Sequence, residues 1–144
     1  MIRLATPADA QEIADLYHDI RQDSVPTKHG PSAIAGWLRD HVLTRGTSSV
    51  YLKDDQIVAW VDVREGWLDQ LYCRRGFTGK GIGLELLNHA KAVSPDRLMA
   101  YTFQVNDGAR RFYAREGFIE AELSDGADNE ERQPDVRLVW TPSL

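Results

Sequence analysis

"GFTGKGIGLELLNHA", Gly76 to Ala90, places four glycines in eight residues and then leucines at helical spacing. Glycine clusters that run into a helix commonly hold a phosphate, and spacing separates the types of loop. A Walker loop requires G-x-x-x-x-G-K-[ST], because its lysine reaches the terminal phosphates and its hydroxyl binds magnesium. Here Lys80 is followed by Gly81, with no Ser or Thr behind it. The dinucleotide fingerprint requires G-x-G-x-x-G, whereas from Gly79 the third glycine, Gly83, comes one residue too soon. The acidic residue expected about twenty positions further on falls in "RLMAYTF", which has none. What remains is G-x-G-x-G closing onto a helix N-terminus. Glycines let successive amides turn toward one point, and the free N–H groups of the helix add partial positive charge there. A diphosphate fits such a corner without a metal. A plain strand-to-helix turn needs fewer glycines, and each one carries a conformational-entropy cost.

Outward from the loop, the flanking elements define the fold class. Upstream, "SSVYLK", "QIVAWVDV" and "WLDQLYC" are β-rich runs joined at Asp54-Asp55 and Glu65-Gly66, which predicts a three-strand antiparallel meander. Downstream, Ile82 to about Ala92 reads as a helix stopped at Ser94-Pro95, and Arg97 to Val105 as a buried strand. The path from Leu71 to Leu98 is long enough for a βαβ crossover, so those two strands are expected to be parallel. Asn106 caps the next helix and Gly117 ends it, after which "FIEAEL" and "VRLVW" complete the strands. At the N-terminus, "IRLA" reads as a strand, and Thr6-Pro7 opens a helix with Ile13, Leu16, Tyr17 and Ile20 on one face. Asp23 to Pro31 reads as a loop, and Ser32 caps a second helix running toward Gly46. The expected architecture is α+β: one domain over residues 1–144, a mixed and mostly antiparallel sheet with one parallel βαβ unit, and helices on both faces.

The chain has 144 residues, a size that buries roughly 68–70% of its unfolded surface without staples. One cysteine, Cys73, excludes an internal disulfide and fits a reducing compartment. No signal-like or membrane-length apolar run occurs, so a cytoplasmic protein is expected. The net charge of −5 argues against non-specific nucleic-acid binding. His18, His29, His41 and His89 show no metal-ligand spacing, so no metal is expected.

"LYCRRGFTGKGIGLELL" together with "NDGARRFYAREGF" resembles the GNAT superfamily of acyl-CoA-dependent N-acetyltransferases. Those proteins carry R/Q-x-x-G-x-G/A between the fourth strand and the third helix. They also carry N-x-x-A-x-x-x-Y-x-x-x-G-F, matched here by Asn106, Ala109, Tyr113, Gly117 and Phe118. One position departs: the family's Arg or Gln falls on Thr78, which keeps the backbone and loses the long side chain. Lys80, Arg74 and Arg75 are the nearby cations that could replace it.

The resemblance implies acetyl-CoA as cosubstrate, with the amides of Thr78, Gly79, Lys80, Gly81, Ile82 and Gly83 around its diphosphate. The strand edge at Leu71 and Cys73 would pair with the pantetheine like an added strand, and Asn106 would meet the same arm. Helical spacing alone makes Tyr113 a core aromatic beside Phe112; the motif makes it the candidate that assists the departing thiolate. Deprotonation of the amine points to a carboxylate acting through water: Asp69 first, then Glu65 and Asp62, though some family members need no dedicated base. Cys73 with His89 would suit a covalent acyl-enzyme. At a strand end where the family commonly has an apolar residue, Cys73 reads instead as a small hydrophobe, and direct transfer is expected.

In this family the acceptor pocket is built by the first two helices and the loop between the last two strands. Here that loop carries Asp125, Asp128, Glu130 and Glu131, which would attract a cationic small-molecule or peptide amine. Family habit also implies a homodimer. Two functions follow: an N-acetyltransferase acting on a primary amine in a ternary complex, or a non-catalytic acyl-CoA-binding or sensing module on the same fold.

Overall fold

In a computed structural model describing residues 1–24, 30–129 and 132–142, strand β1 (Ile2–Leu4) leads into helix α1 (Ala10–Ser24). The entry follows from Thr6-Pro7: a short 3-10 turn over Pro7–Asp9 precedes the helix, and the Thr6 N–H donates to the Asp9 carboxylate at 2.9 Å. Asp9 also meets Arg3 at 2.8 Å, and this pair holds its carboxyl below the usual range. Helix α1 extends through Ser24, into the stretch expected to be loop; residues 25–29 of that stretch lie outside the described residues.

Helix α2 (Pro31–Trp37) starts from Gly30 rather than from Ser32. Pro31 takes the first turn, where its fixed φ suits the helix and its missing N–H is no loss. The single long helix expected here is three windings instead. After Trp37 the backbone loosens, the Leu43 N–H reaching back five residues to the Leu38 carbonyl. It then tightens over Leu43–Arg45, and Gly46 ends it at φ 73°.

Strands β2 (Ser48–Lys53), β3 (Gln56–Arg64) and β4 (Trp67–Cys73) form the expected meander. Their turns are left-handed pairs, Asp54-Asp55 at φ 51° and 62° and Glu65-Gly66 at φ 53° and 83°. Positive φ at both central residues matches the right-handed twist of the flanking strands. Helix α3 (Ile82–Val93) crosses over to β5 (Leu98–Phe103), which runs parallel to β4. Helix α4 (Asp107–Arg115) follows, its first turn closed by Asn106 Oδ1 accepting from the Ala109 N–H at 3.1 Å. Gly117, at φ 92°, takes the chain out of the helix into β6 (Ile119–Ser124) and β7 (Asp135–Trp140). The sheet order is β1-β2-β3-β4-β5-β7-β6, with β4–β5 the one parallel pair.

Both faces of the sheet are packed, by different helices. Ile13, Leu16, Ile34 and Leu38 of the α1 side close over Val50 and Trp60, all buried. On the other face, Leu86, Leu87 and Ala90 of α3 meet Val61, Leu98, Ala100 and Leu138. Each fully buried Leu contributes about 1.5–3 kcal/mol through apolar area removed from water. One expectation fails in part: β5 is buried on one face only. Leu98 and Ala100 are inside, whereas Tyr101 is 57% exposed, because among the described residues the helices of the α1 side pack over Val50 and Trp60 and not over β5.

Candidate active site

The corner between β4 and α3 is built by backbone. Gly79 and Gly81 sit at φ 76° and 84°, conformations that L side chains rarely adopt, and a Cβ at either would point into open space. Gly81 is the residue from which α3 starts. The Phe77 N–H closes a turn onto the Arg74 carbonyl, and the Glu85 N–H reaches back to Gly81. Between them, the amides of Thr78 through Leu84 donate to no acceptor among the described residues. Seven consecutive donors at a helix N-terminus form a ready anion cradle. Buried Ile82 anchors this corner in the core, and Thr78, Gly79 and Lys80 are exposed. Lys80 Nζ lies 5.7 Å from the centre of the Phe77 ring.

Next to the corner the sheet splits. Strand β4 pairs with β3 from Trp67 opposite Arg64 out to Cys73 opposite Ala59, with a register shift that leaves Asp69 without a partner on β3. Its register with β5 covers only Trp67–Met99 and Leu68–Ala100. Beyond that point β5 continues with β7 as far as Phe103 opposite Asp135. Strand β4 from Asp69 to Cys73, carrying half-buried Leu71 and Cys73, thus turns an unpaired edge into a wedge-shaped gap.

Tyr113 stands on the α3–α4 side of this wedge. It is 7% exposed, with edge-on contacts to Phe112 and Phe118 at 5.4 and 5.1 Å. Burial, with a smaller contribution from the Tyr72 phenol, pushes its hydroxyl far above the ordinary phenol range. Tyr72 itself lies on the α1 side, packed against Tyr17 and Trp60.

On the α1 side lies a cleft of about 530 Å³. Its walls include Asp69, Gln70 and Tyr72 from β4, Tyr101 and Phe103 from β5, Asp128 from the β6–β7 loop, and Asp135 from β7. Asp69 pairs with Arg64 at 3.3 Å. Desolvation nevertheless raises its carboxyl above the usual range, opposed by Arg64 and reinforced by Asp62. Gly126, at φ 82°, shapes the β6–β7 loop: a Cβ there would overlap the Gln133 backbone. Asp125 accepts from the Ala127 N–H, leaving Asp128 and Asn129 to face the cleft.

The sequence-predicted residues thus separate. Thr78 through Gly83, Leu71, Cys73, Tyr113 and Asp69 gather around the corner, the wedge and the cleft. Asn106 is engaged in capping α4 through its Oδ1. Asp62 is buried under Ser48 and Thr47, both of which donate to its Oδ1, and Glu65 occupies a turn and lines a different depression. Burial raises the Cys73 thiol, which opposes its use as a nucleophile. Glu130, Glu131 and His29 fall outside the described residues. Arg21, Tyr72, Tyr101, Phe103 and Asp135 went unrecognised in the sequence: they come from α1, β4, β5 and β7, and only the topology assembles them.

A seven-stranded, mostly antiparallel sheet opened by one parallel pair, with an amide-lined corner at the opening, is the architecture of the GNAT acetyltransferases. The sequence matches the Acetyltransferase (GNAT) family over residues 10–118. The chain belongs to that family, which uses acetyl-CoA. Among solved structures it is similar to apo-form YjaB from Escherichia coli, with TM-score 0.79, 20% identity and coverage of 99% of this chain and 98% of that one. It is also similar to the ribosomal-protein-alanine N-acetyltransferase of Brucella melitensis, with TM-score 0.73, 18% identity and 99% of both chains covered. A chain of the NatC complex bound to Gag peptide and CoA gives TM-score 0.68, 12% identity and coverage of 99% and 98%. No curated protein matches the sequence. Among the described residues no helix is long and apolar enough to cross a membrane.

Proposed function

We propose that the protein transfers the acetyl group of acetyl-CoA directly to a primary amine while both substrates are bound. The observation that carries this reading is the run of unengaged amides from Thr78 to Leu84, set beside a strand edge that β5 leaves unpaired. The amides suit the diphosphate, and the edge at Leu71 and Cys73 suits the amide groups of the pantetheine arm. The thioester then lies in the wedge between Tyr113 and the α1-side cleft.

In the reaction the amine nitrogen forms a bond to the carbonyl carbon, and the carbon–sulfur bond breaks with its electron pair on sulfur. Asp69, through a water, takes the proton that the amine sheds and passes it to solvent. Tyr113 meets the departing sulfur. A free thiol titrates near ~8.5, well below this buried phenol, so complete proton transfer from tyrosine to thiolate runs uphill. The hydroxyl therefore stabilises the thiolate by hydrogen bonding, and the thiol gains its final proton from solvent. Desolvation of Cys73 disfavours its thiolate and supports direct transfer over an acyl-enzyme. The acceptor is a small-molecule or peptide amine, and the enzyme works in a reducing cytoplasm without a nucleic acid, membrane or metal partner. A homodimer, the family's habit, enters no step.

The test is thiol release from acetyl-CoA across a panel of amines, with Tyr113→Phe beside the wild type. We expect turnover with some amines, and a loss of about 10²-fold in kcat for Tyr113→Phe with the coenzyme A dissociation constant unchanged. Tight coenzyme A binding with no thiol release from any amine would instead establish the sensing module.

A further inference from the structure

Along the α1-facing side of β4, Tyr72 is followed two residues on by Arg74, whose N–H continues the ladder to the Val58 carbonyl at 2.7 Å. Side chains two apart on a strand share a face. Arg74 accordingly lines a second α1-side cavity, of about 350 Å³, with Leu16, Asp19, Ile20 and Arg75. Its lining comes from the same two stretches of chain that contribute to the larger cleft: Ile20 is next to Arg21 on α1, and Arg74 lies two residues past Tyr72, just beyond the end of β4. The Nε of Arg74 is sealed from solvent and has no hydrogen-bond partner; among the described residues it is the only buried side-chain nitrogen or oxygen in that condition. A guanidinium in water would satisfy that donor, so the fold loses free energy by holding it there. Arg75 differs: its Nη2 donates to the Asp19 carbonyl at 2.8 Å. Asp19, the one carboxylate in the lining, is exposed on α1.

A cavity lined by two arginine side chains against one exposed carboxylate matches one ligand chemistry, an anion that accepts from a guanidinium in the planar geometry it offers. Two substrates could bring such an anion, the phosphates of the donor or an acidic group on the acceptor. The cradle amides belong to α3, which packs on the opposite face of the sheet, and Cys73 packs against that opposite core. Arg74 faces α1 instead. We infer that the acceptor is an amine that also carries a carboxylate or phosphonate, and that Arg74 holds this anion while the ammonium end lies toward Asp69 and Asp128 in the adjoining cleft. Leu16 and Ile20 supply an apolar wall for the carbon chain between the two charges. The inference rests on the acetyltransferase reading and narrows its substrate class.

The experiment compares matched probes, 4-aminobutyrate and 6-aminohexanoate against butylamine and hexylamine, by isothermal titration with and without coenzyme A. Binding of coenzyme A to the wild type, measured first, tests the acetyltransferase reading by itself. The amino acids should bind at least tenfold more tightly than their partner amines. Arg74→Gln should erase that ratio, Arg74→Lys should keep part of it, and both should leave the coenzyme A dissociation constant within twofold of wild type. Because Arg74 gives up an unsatisfied donor, Arg74→Gln should melt no lower than wild type, which separates ligand recognition from a structural role. Equal binding of the matched pairs overturns the inference. So does a loss of coenzyme A affinity in Arg74→Gln with the ratio intact, which would assign Arg74 to the donor's phosphates.

Discussion

At the level of single side chains, Asp69 offers the sharpest reading, because opposing forces set its ionisation. Desolvation raises its carboxyl, Arg64 at 3.3 Å pulls it down, and Asp62 pushes it up again. A base works only when deprotonated, so kcat/KM should fall as pH drops through this raised value. Arg64→Ala removes the lowering influence and should move the acidic limb of the pH–rate profile to higher pH. Asp69→Asn should abolish the Asp69 limb and lower kcat by about 10²-fold. Superimposable limbs for wild type and Arg64→Ala would remove Asp69 from the role of base. The sequence ranked Asp69 first, ahead of Glu65 and Asp62, but could not show what separates it from Asp62, which sits on the neighbouring strand with the same charge. Only burial distinguishes them: Asp62 is occupied by Thr47 and Ser48, whereas Asp69 borders the cleft.

Among the elements, the β4–α3 corner was legible because glycine is a backbone statement. Gly79 and Gly81 do adopt positive φ, whereas Gly83 sits inside α3 with its missing Cβ 3.9 Å from Phe112 Cζ, an ordinary contact. The three glycines should therefore behave differently. Gly81→Ala forces a left-handed alanine, costing about 1–2 kcal/mol in thermal or denaturant unfolding, and it should raise the acetyl-CoA dissociation constant at least tenfold. Gly83→Ala should stabilise the helix by about 0.5–1 kcal/mol and leave donor affinity nearly intact. Equal donor affinity in Gly81→Ala and wild type would detach the corner from the diphosphate. Helix α2 shows the opposite case: Ser32 is a good cap by type, but Pro31 before it is a better first-turn residue, and the loosened winding at Leu38–Val42 has no periodicity signal. The α1-side cleft was legible only through Asp69 and Asp128, because Arg21, Tyr72, Phe103 and Asp135 share no spacing rule.

For the whole molecule, the β2-β3-β4 meander and the parallel β4–β5 pair followed from turn chemistry and one crossover, and the expected sheet class is the one observed; the insertion of β7 between β5 and β6 carries no local signal in the chain. Composition said little about which face of β5 would be covered; that depends on where helices end up, and Tyr101, stacked on Trp67 at 5.3 Å, shows the result. The short β4–β5 register has a mechanical corollary. Two aligned residue pairs suture β1–β4 to β5–β7, helped by side chains packed across the α3-side core and by the Trp67–Tyr101 stack on the other face. Such a seam should breathe more readily than any antiparallel ladder in the sheet, so backbone deuterium uptake over Asp69–Cys73 should be fast in the free protein. An acyl donor lying along that edge acts as a splint: uptake there should slow at least tenfold on adding coenzyme A, while β2 and β3 stay as they were. Uptake that is equally slow with and without coenzyme A would mean the suture holds unaided.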